Sequence, residues 1–359
     1  MADSRVAGRD ASGPPARTRA DLLVAGAGPV GLAVAIEAAS AGLDVVVADP
    51  RAGGSRDKAC GEGLMPSTVA ALRRLGVDPP GVPIVGIRYV GADRVAEALF
   101  SSGAGRGVRR TVLVDALEAR ARSLGVDIVA RAVAGVGQLD GEVQAAGVRA
   151  RYLAVADGLH SPLRRELGLN STATAFRGRR VGLRRHFRVA PWSSHVEVHW
   201  SADAEAYVTP VSADTVGVAI LCRGGAPYDV WLDAFPELRE RLRSAQPVTA
   251  VRGAGPLRQR SRRRVHGRAM LVGDAAGYVD ALTGEGIAVG LAGAQALVRC
   301  VTSNRASAYE AAWRRSSLRA RLLTAALLWA SQQPAARRRL VCSAAACPPA
   351  FRAAVNLLA

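Results

Sequence analysis

The residues of this sequence best suited to chemistry stand in one glycine-rich segment. Gly26-Ala27-Gly28-Pro29-Val30-Gly31 follows the apolar run 22–25 and precedes an Ala-rich stretch that reaches residue 41. In a strand, turn and helix of this kind, the first glycine permits the tight turn, the second lets the backbone approach a pyrophosphate, and the third lets helix and strand pack closely. Free N–H groups at the start of the helix then face the phosphate. The segment therefore predicts a bound dinucleotide.

An acidic residue stands where the second half of such a site requires one. Asp49 follows the next apolar run, 45–47, about twenty residues after the glycines, and predicts hydrogen bonds to the adenosine ribose hydroxyls. Arg51, just beyond it, is assigned to the same cofactor site. The glycine pattern by itself does not separate FAD from NAD.

Later segments carry a resemblance that separates the two cofactors. The stretch that begins at Asp157-Gly158 is similar to the D-G-x-x-S-x-x-R motif of FAD-dependent aromatic hydroxylases, the group A flavin monooxygenases. Gly273-Asp274 resembles the G-D element with which that superfamily holds the ribityl and pyrophosphate groups of FAD. Arg110 resembles an arginine that these proteins place near the flavin. The resemblance implies that FAD is the cofactor and that these residues bind it.

A finer resemblance points to the geranylgeranyl-reductase-like branch of this superfamily. Residues 58–63 (K-A-C-G-E-G) and 283–287 (T-G-E-G-I) are similar to segments that lie over the isoalloxazine in that branch. The cofactor-site residues that this implies are Gly284, Glu285, Gly286 and Ile287. The helix that starts near Ile287 is expected to direct its positive end toward the flavin, with Glu285 as its cap. The branch also includes monooxygenases of polyketide aromatics, so the reaction stays open.

Cys60 is the candidate catalytic residue, and the candidate substrate-binding residues lie on later strands. Cys60 stands beside Lys58 and Arg56, and a thiol near cationic side chains is suited to relaying protons; a small apolar filler is the alternative. The substrate-binding candidates are His199, Tyr207 and Pro210. Their strands resemble the substrate-facing wall of flavin monooxygenases, with ordinary core packing as the alternative. The halogenase motif W-x-W-x-I-P is missing, which disfavours halogenation, and no metal-ligand pattern is present.

The elements around these motifs predict an α/β fold. Apolar runs alternate with helix-like segments from residue 21, which indicates an FAD-binding, doubly wound, Rossmann-like domain. Alternating runs between residues 181 and 221 indicate an inserted antiparallel β-sheet, assigned as a substrate domain. The predicted organisation is a disordered leader at 1–20, an FAD-binding domain at 21–83, 105–175 and 260–303, a substrate domain at 84–104 and 176–259, and C-terminal helices at 304–359.

Composition limits the classes of protein to which the chain can belong. Its 359 residues are 49% hydrophobic, so we expect a globular protein with a substantial core. Five unevenly spaced cysteines argue against a disulfide framework and favour a reducing cytoplasm. No stretch reaches the length of about 18 apolar residues that a membrane span needs.

The formal charge of +18 is typical of proteins that bind nucleic acid or an anionic membrane, so both have to be considered as partners. Because the arginines are scattered and no nucleic-acid-binding motif is present, a solvated arginine-rich surface is favoured and no nucleic-acid partner is expected. The densest run of arginines, 258–264, suits binding of an NADPH 2′-phosphate or an acidic lipid, but the favoured interpretation is a solvated loop. Residues 318–329 mix Arg with Leu and Trp, which suits either peripheral membrane contact or a helix that covers the FAD domain.

These observations favour an FAD-dependent oxidoreductase. The first expectation is an NAD(P)H-dependent monooxygenase that acts on an aromatic or polyketide-like small molecule of secondary metabolism. The alternative is an oxygen-independent reductase that saturates isoprenoid double bonds, and a third hypothesis is a basic binding module in which FAD is only structural. No second G-x-G-x-x-G is present, so NAD(P)H is expected to bind transiently as the reductant.

Overall fold

The computed structural model describes residues 17–54, 57–91, 93–139, 141–171 and 180–359. The predicted leader up to residue 16 lies outside this part, as do Arg56 and residues 176–179 of the predicted substrate domain. The first strand begins at Arg19, inside the stretch expected to be disordered, because Arg19 and Ala20 pair with Arg149 and Ala150.

Strands of the described residues are numbered in chain order. They are β1 (Arg19–Ala25), β2 (Val45–Ala48), β3 (Gly63–Leu64), β4 (Val82–Ile84), β5 (Gly86–Val90), β6 (Val95–Leu99), β7 (Gly105–Gly107), β8 (Asp127–Val129), β9 (Gly137–Leu139), β10 (Glu142–Ala145), β11 (Val148–Val155), β12 (Val181–Arg188), β13 (His195–Trp200), β14 (Glu205–Ser212), β15 (Thr215–Cys222), β16 (Gln246–Pro247), β17 (Arg252–Ala254), β18 (Val265–His266) and β19 (Ala269–Leu271).

The α-helices of the same residues are numbered separately. They are α1 (Pro29–Ser40), α2 (Pro66–Arg74), α3 (Arg110–Ser123), α4 (Pro162–Glu166), α5 (Tyr228–Leu232), α6 (Pro236–Arg241), α7 (Gly286–Thr302), α8 (Tyr309–Gln332), α9 (Pro334–Ala346) and α10 (Pro348–Leu358). Short 3₁₀ turns cover Gly273–Ala276 and Ala306–Ala308.

The first sheet has a parallel centre in the order β19-β11-β1-β2-β8, with antiparallel β18 beside β19 and the β9–β10 pair beside β11. Its central strands are apolar throughout: α1 packs against β1, β2 and β11, with α3 and α7 beside α1, and Leu22, Leu23 and Val24 are fully buried. Four predicted motifs follow the carboxyl ends of adjacent strands: the glycine turn follows β1, Asp49 follows β2, Asp157 follows β11 and Gly273 follows β19. Parallel strands end at one edge, so the topology gathers these motifs there.

The second sheet has the order β16-β12-β15-β14-β13-β5-β6, with β17 beside β12. Its pairs are antiparallel except for β13 and β5, which run parallel. Strand β5 comes from the earlier segment 84–104, and the long connection to β13 allows a parallel pair. A small sheet of order β3-β7-β4 packs against β14 of the second sheet. The predicted fold class, a Rossmann-like FAD-binding domain with an inserted sheet and C-terminal helices, is confirmed.

The C-terminal helices pack on both parts of the molecule. Helix α8 lies against α7, whereas α9 and α10 lie against β5 and β6. Among the described residues, no single helix has the length and apolar character needed to cross a bilayer. Helices α9 and α10 meet that test only when taken together, and they are bent by 106° at their junction.

Candidate active site

A cavity of about 540 Å³ opens at the carboxyl edge of the first sheet. The second sheet, the loop 57–65 and the loop 277–285 form its other walls, and α8 and α10 contribute one end. The cofactor-site predictions that line it are Gly26, Gly28, Pro29, Val30, Asp49, Arg51, Arg110, Asp157, Gly158, Gly273, Asp274, Gly284, Gly286 and Ile287. Gly31 and Glu285 lie close by without lining the cavity. Residues that are far apart in the sequence thus share one site.

The three motif glycines sit in different surroundings. Gly26 has φ 108°, and a Cβ there would lie 2.5 Å from the carbonyl oxygen of Ala156. A Cβ on Gly31 would lie 1.9 Å from the Gly26 carbonyl oxygen, so both positions require glycine for packing. A Cβ on Gly28 would meet only the Arg110 guanidinium, at 3.8 Å. Gly28 therefore leaves open space on the cavity wall, as the approach of a pyrophosphate to the backbone requires.

The Asp49 carboxylate holds the glycine turn in place. Its Oδ2 accepts a hydrogen bond from the Ala27 amide at 2.9 Å, and its Oδ1 accepts one from the Arg51 amide at 2.8 Å. The side chain is buried but remains on the cavity wall. A ribose would have to share this carboxylate with the turn, and carboxylate oxygens have enough lone pairs for both.

Cationic side chains surround the cofactor end of the cavity. Lys58, Arg51 and Arg110 all line it, and burial lowers the pKa of Lys58, with Arg51 and Arg110 acting in the same direction. Burial raises the pKa of Asp274 opposite them. Among the described residues, Arg110 Nε and Asp157 Oδ1 are buried without a hydrogen-bond partner. Grouped cations and unpaired polar atoms fit a pyrophosphate and the polar groups attached to it.

Arg164 joins two of the motifs that the sequence only placed in order. Its guanidinium donates hydrogen bonds to the Ala275 carbonyl oxygen at 3.1 Å and to Gln259 Oε1 at 2.8 Å. Ser161 Oγ accepts the Arg164 amide at 2.9 Å, and Asp157 Oδ2 accepts the amide of Leu163. The D-G-x-x-S-x-x-R motif therefore fastens the strand end after β11 to the turn after β19. Sequence analysis did not assign this tie.

A buried carboxylate and imidazole lie behind the Cys60 loop. Glu62 Oε2 is 2.5 Å from His186 Nε2, and both side chains are almost completely inaccessible to solvent. Glu62 Oε1 accepts the amide of Arg110, the first residue of α3, at 2.9 Å. Glu62 has φ 60°, which is uncommon for a residue with a side chain. The pair therefore holds an unfavourable backbone conformation beneath the loop that carries Cys60.

Arg184 extends this buried group of residues. Its guanidinium contacts Asp57 and His186 Nδ1, and it donates to the Lys58 carbonyl oxygen at 2.9 Å. Sequence analysis did not select Arg184 or His186. The signal that could have identified them is the segment R-R-H, which puts charged and polar residues on a strand that is expected to lie in the interior.

The loop 277–285 closes the cavity from the other side. Tyr207 donates its hydroxyl to the Leu282 carbonyl oxygen at 2.9 Å, and Thr283 Oγ1 lies 2.9 Å from Thr324 Oγ1 of α8. Glu285 occupies the N-cap position of α7 but makes no capping hydrogen bond, contrary to the role expected from the sequence. Burial raises the pKa of Glu285 to about 7, and its Oε2 has no partner among the described residues.

The structure separates the three candidate substrate residues. Tyr207 lines the cavity, whereas His199 and Pro210 are not among its lining residues in the described part of the chain. His199 Nε2 contacts Glu197 Oε2 at 3.2 Å on the other face of β13. A Cβ on Gly107 would lie 1.7 Å from the Pro210 carbonyl oxygen, so Pro210 packs against β7. Cys60 lines the cavity as a free, partly exposed thiol.

Comparison with known proteins identifies the family of this chain. Residues 127–303 match the model of an FAD binding domain family. The chain is 32% identical over 329 residues to a menaquinone reductase of Mycolicibacterium smegmatis, covering 82% of this chain and 80% of that protein. The chain belongs to the FAD-dependent oxidoreductases of the geranylgeranyl-reductase-like family. It is also 30% identical to digeranylgeranylglycerophospholipid reductase 1 of Methanothermobacter thermautotrophicus, covering 77% of this chain and 75% of the relative.

Solved structures share the fold of this FAD-dependent oxidoreductase. The flavin-dependent brominase Bmp2 superposes with a TM-score of 0.78 at 19% identity, covering 95% of this chain and 93% of that one. A geranylgeranyl bacteriochlorophyll reductase-like protein from Thermoplasma acidophilum superposes with a TM-score of 0.77 at 23% identity, covering 91% of each chain. At these identities the likeness concerns the fold alone.

Proposed function

We propose that this FAD-dependent oxidoreductase is a reductase that saturates a carbon–carbon double bond in the isoprenoid chain of a ring-bearing lipid. The observation that carries the proposal is the apolar wall of the cavity beyond the cofactor end. The names of two relatives, menaquinone reductase and digeranylgeranylglycerophospholipid reductase, support it. Both named substrates carry long isoprenoid chains, and menaquinone also carries a ring.

The apolar wall offers a substrate few hydrogen bonds. Its aliphatic members include Leu64, Ile84, Val196, Leu327, Val355 and Leu358. The hydroxyls of Tyr207 and Thr209 already donate to the carbonyl oxygens of Leu282 and Gly61. A polar aromatic substrate would lose its hydrogen bonds to water without replacing them, at about 1–3 kcal/mol for each unpaired group. A hydrocarbon chain incurs no such cost, so the wall favours an isoprenoid.

Small residues form one part of the same wall. Gly182, Ala219, Gly253 and Ala254 line the cavity where β12, β15 and β17 pair. Such residues leave the backbone surface flat and accessible, which suits the face of a planar ring. This part of the wall favours a substrate that has both a ring and a chain.

The chain's own residues must hold the lipid, exclude water and deliver a proton. FAD held at this site would, once reduced, supply a hydride, that is, a proton with two electrons, to one carbon of the double bond. Cys60, which lines the cavity, donates its proton to the other carbon, and this completes the addition of two hydrogens across the bond. The thiolate that remains regains a proton from solvent.

An anaerobic assay tests the proposal. The purified, FAD-loaded protein is reduced with dithionite and mixed with detergent-dispersed menaquinone, so that the outcome does not depend on the nicotinamide donor. After the extracted product is reoxidised to the quinone, which removes the hydrogens that dithionite adds to the ring, we expect a product heavier than menaquinone by two hydrogens in its isoprenoid chain. A product that forms only in air and gains one oxygen atom would instead establish a monooxygenase, the second candidate, which the small-residue wall for a ring also accommodates. Replacing dithionite by NADH or NADPH then tests the expected transient reductant.

Cys60→Ala tests the proton donor. Loss of a general acid typically slows turnover by 10²–10⁴-fold, so we expect a loss of about 100-fold at unchanged FAD content. Cys342→Ala is the matched control, because Cys342 is another partly exposed free thiol and does not line the cavity. Full activity in Cys60→Ala would remove Cys60 from the mechanism.

A further inference from the structure

We infer that one face of α8 docks this protein onto bilayers that contain anionic phospholipid. Leu318, Leu322, Ala325 and Trp329 recur at helical spacing and fall within a narrow sector of α8; these four residues are called the α8 stripe. The exposed fractions of Leu318, Leu322 and Trp329 are 53%, 61% and 67%. A row of large apolar side chains in water marks a surface that is covered in use.

Arginines flank the α8 stripe on both sides. At 3.6 residues per turn, Arg314 and Arg321 lie to one side of it and Arg315 and Arg319 to the other. The chain from residue 311 to 359 contains eight arginines and no Asp or Glu: Arg314, Arg315, Arg319, Arg321, Arg337, Arg338, Arg339 and Arg352. An apolar row with tryptophan at one end, bordered by arginines, is complementary to an anionic headgroup layer over hydrocarbon.

The same features disfavour the other occupants of this surface. A second copy of the chain would bring two arginine-rich faces together, and like charges repel. Duplex nucleic acid would match the arginines through its phosphates, but its hydrophilic backbone would leave Leu322 and Trp329 uncovered. A bilayer satisfies the charges and the apolar row together.

Helices α8 and α10 connect the stripe to the cavity, and the meaning of this connection rests on the proposed function. Leu327 lines the cavity from the face of α8 opposite the stripe, so α8 alone separates the two. Arg319 donates to the Leu357 carbonyl oxygen, which sets the end of α10 beside the stripe. Leu357 is 51% exposed, whereas the next residue, Leu358, lines the cavity. A lipid substrate would therefore reach the cavity from the bilayer without crossing water.

Vesicle sedimentation tests the docking without any substrate. The FAD-loaded protein is mixed with vesicles of phosphatidylcholine alone or with phosphatidylglycerol added. We expect binding to the anionic vesicles that weakens with salt. The double variant Leu322→Ala with Trp329→Ala should bind at least about tenfold less, and Arg315→Gln about fivefold less, as one basic residue near the surface contributes. Matched controls on other surfaces are Leu139→Ala, 47% exposed, and Arg243→Gln, 78% exposed.

Docking is supported if the double variant and Arg315→Gln bind anionic vesicles more weakly than wild type while the two control variants bind like wild type. Thermal unfolding and FAD content verify that all the variants are folded. Absent binding at low salt, or a double variant that binds like wild type, overturns it. If wild type and the double variant bind duplex DNA as well as wild type binds vesicles, the protein is a nonspecific polycation and the docking proposal is overturned. If wild type is a dimer that the double variant does not form, a second copy covers the stripe and the proposal is overturned as well. Because no turnover is measured, the result is independent of the anaerobic assay.

Discussion

At the scale of single residues, glycines of one motif serve different purposes. Gly31 is required by packing, since a methyl group there would overlap the Gly26 carbonyl oxygen. Gly28 has φ −76°, which any residue adopts, and open space before it. Of the three motif glycines, only Gly28 has no packing or backbone reason to be glycine, which fits a position that a bound pyrophosphate approaches.

Substitution by alanine separates these two purposes. We expect Gly28→Ala to keep the melting temperature of the apoprotein within a few degrees of wild type but to weaken FAD binding at least about tenfold, because the methyl group occupies the approach to the backbone. Gly31→Ala should lower the stability of the apoprotein itself by 1–3 kcal/mol or more, because the helix must move. Thermal unfolding and FAD titration by fluorescence measure both. Equal FAD affinity in Gly28→Ala and wild type would place the pyrophosphate elsewhere.

Glu62 shows how one side chain can set the shape of a loop. It bonds to His186 and to the Arg110 amide while its own backbone is in the left-handed region. Removing one partner of a buried pair leaves the other uncompensated. Glu62→Ala should therefore lower the free energy of unfolding by about 3 kcal/mol and also weaken FAD binding through Arg110.

Urea unfolding and FAD titration check the Glu62 prediction. The control is Glu97→Ala, because Glu97 pairs with Arg88 at the surface, with 49% of its side chain exposed. That substitution should change stability by less than about 0.5 kcal/mol. If Glu62→Ala and Glu97→Ala behaved alike, the buried pair would have no role in shaping the loop.

At the scale of elements, α7 begins at an acidic residue, Glu285, that does not cap the helix with its side chain. Burial raises the pKa of Glu285 from 4.5 to about 7. The folded protein therefore holds this proton more tightly than the unfolded chain does. Stability should fall as pH rises from about 4.5 to 7 and stay lower above that range.

Glu285→Gln tests this linkage. Because the side chain is partly exposed to solvent, we expect a gain of only about 1 kcal/mol for the variant at pH 8 and no gain at pH 4.5. Melting temperatures of the variant and wild type across this pH range measure it. Glu237→Gln, at an exposed position in the first turn of α6, should show no such dependence. A pH-independent difference for Glu285→Gln would contradict the raised pKa.

At the scale of the whole molecule, one carboxylate connects the inserted sheet, the loop 277–285 and the C-terminal helices. Glu205 of β14 is fully buried, and its oxygens contact Arg180 at 2.7 Å and Arg337 of α9. Arg180 Nε also lies 3.0 Å from Asp280 in the loop over the cavity. Arg337 donates to the carbonyl oxygens of Ser201 and Ala204 as well. The C-terminal helices are therefore fixed to the inserted sheet by charge as well as by apolar contact.

Glu205→Ala should destabilise the whole fold. Two buried guanidinium groups would lose their shared carboxylate, at a cost of about 3–5 kcal/mol. Urea unfolding measures this free energy, and Glu142→Ala is the surface control, because its partner Arg19 is 73% exposed. A loss below about 1 kcal/mol for Glu205→Ala would show that water or other groups replace the carboxylate.

The sequence by itself determined the fold class and selected the motifs that the structure gathers along the cavity. These features are local. A glycine turn between a strand and a helix has the same sequence pattern whatever surrounds the domain, and apolar periodicity follows from which faces are buried. Gly28, Asp49 and Gly273 could be selected for this reason. The inserted sheet was also predictable from its alternating runs, although the parallel pairing of β5 with β13 was not.

Only the tertiary structure decided which side chains face the cavity. Tyr207 faces it and His199 does not, although both lie on neighbouring strands that resemble a substrate wall. The ties from Glu62 to His186, from Arg164 to the turn after β19, and from Glu205 to two arginines join residues that are distant in the sequence. Such contacts are fixed by the pairing and packing of whole elements. The sequence shows which side chains are charged, but only the fold decides which of them are buried and which partner compensates each buried charge.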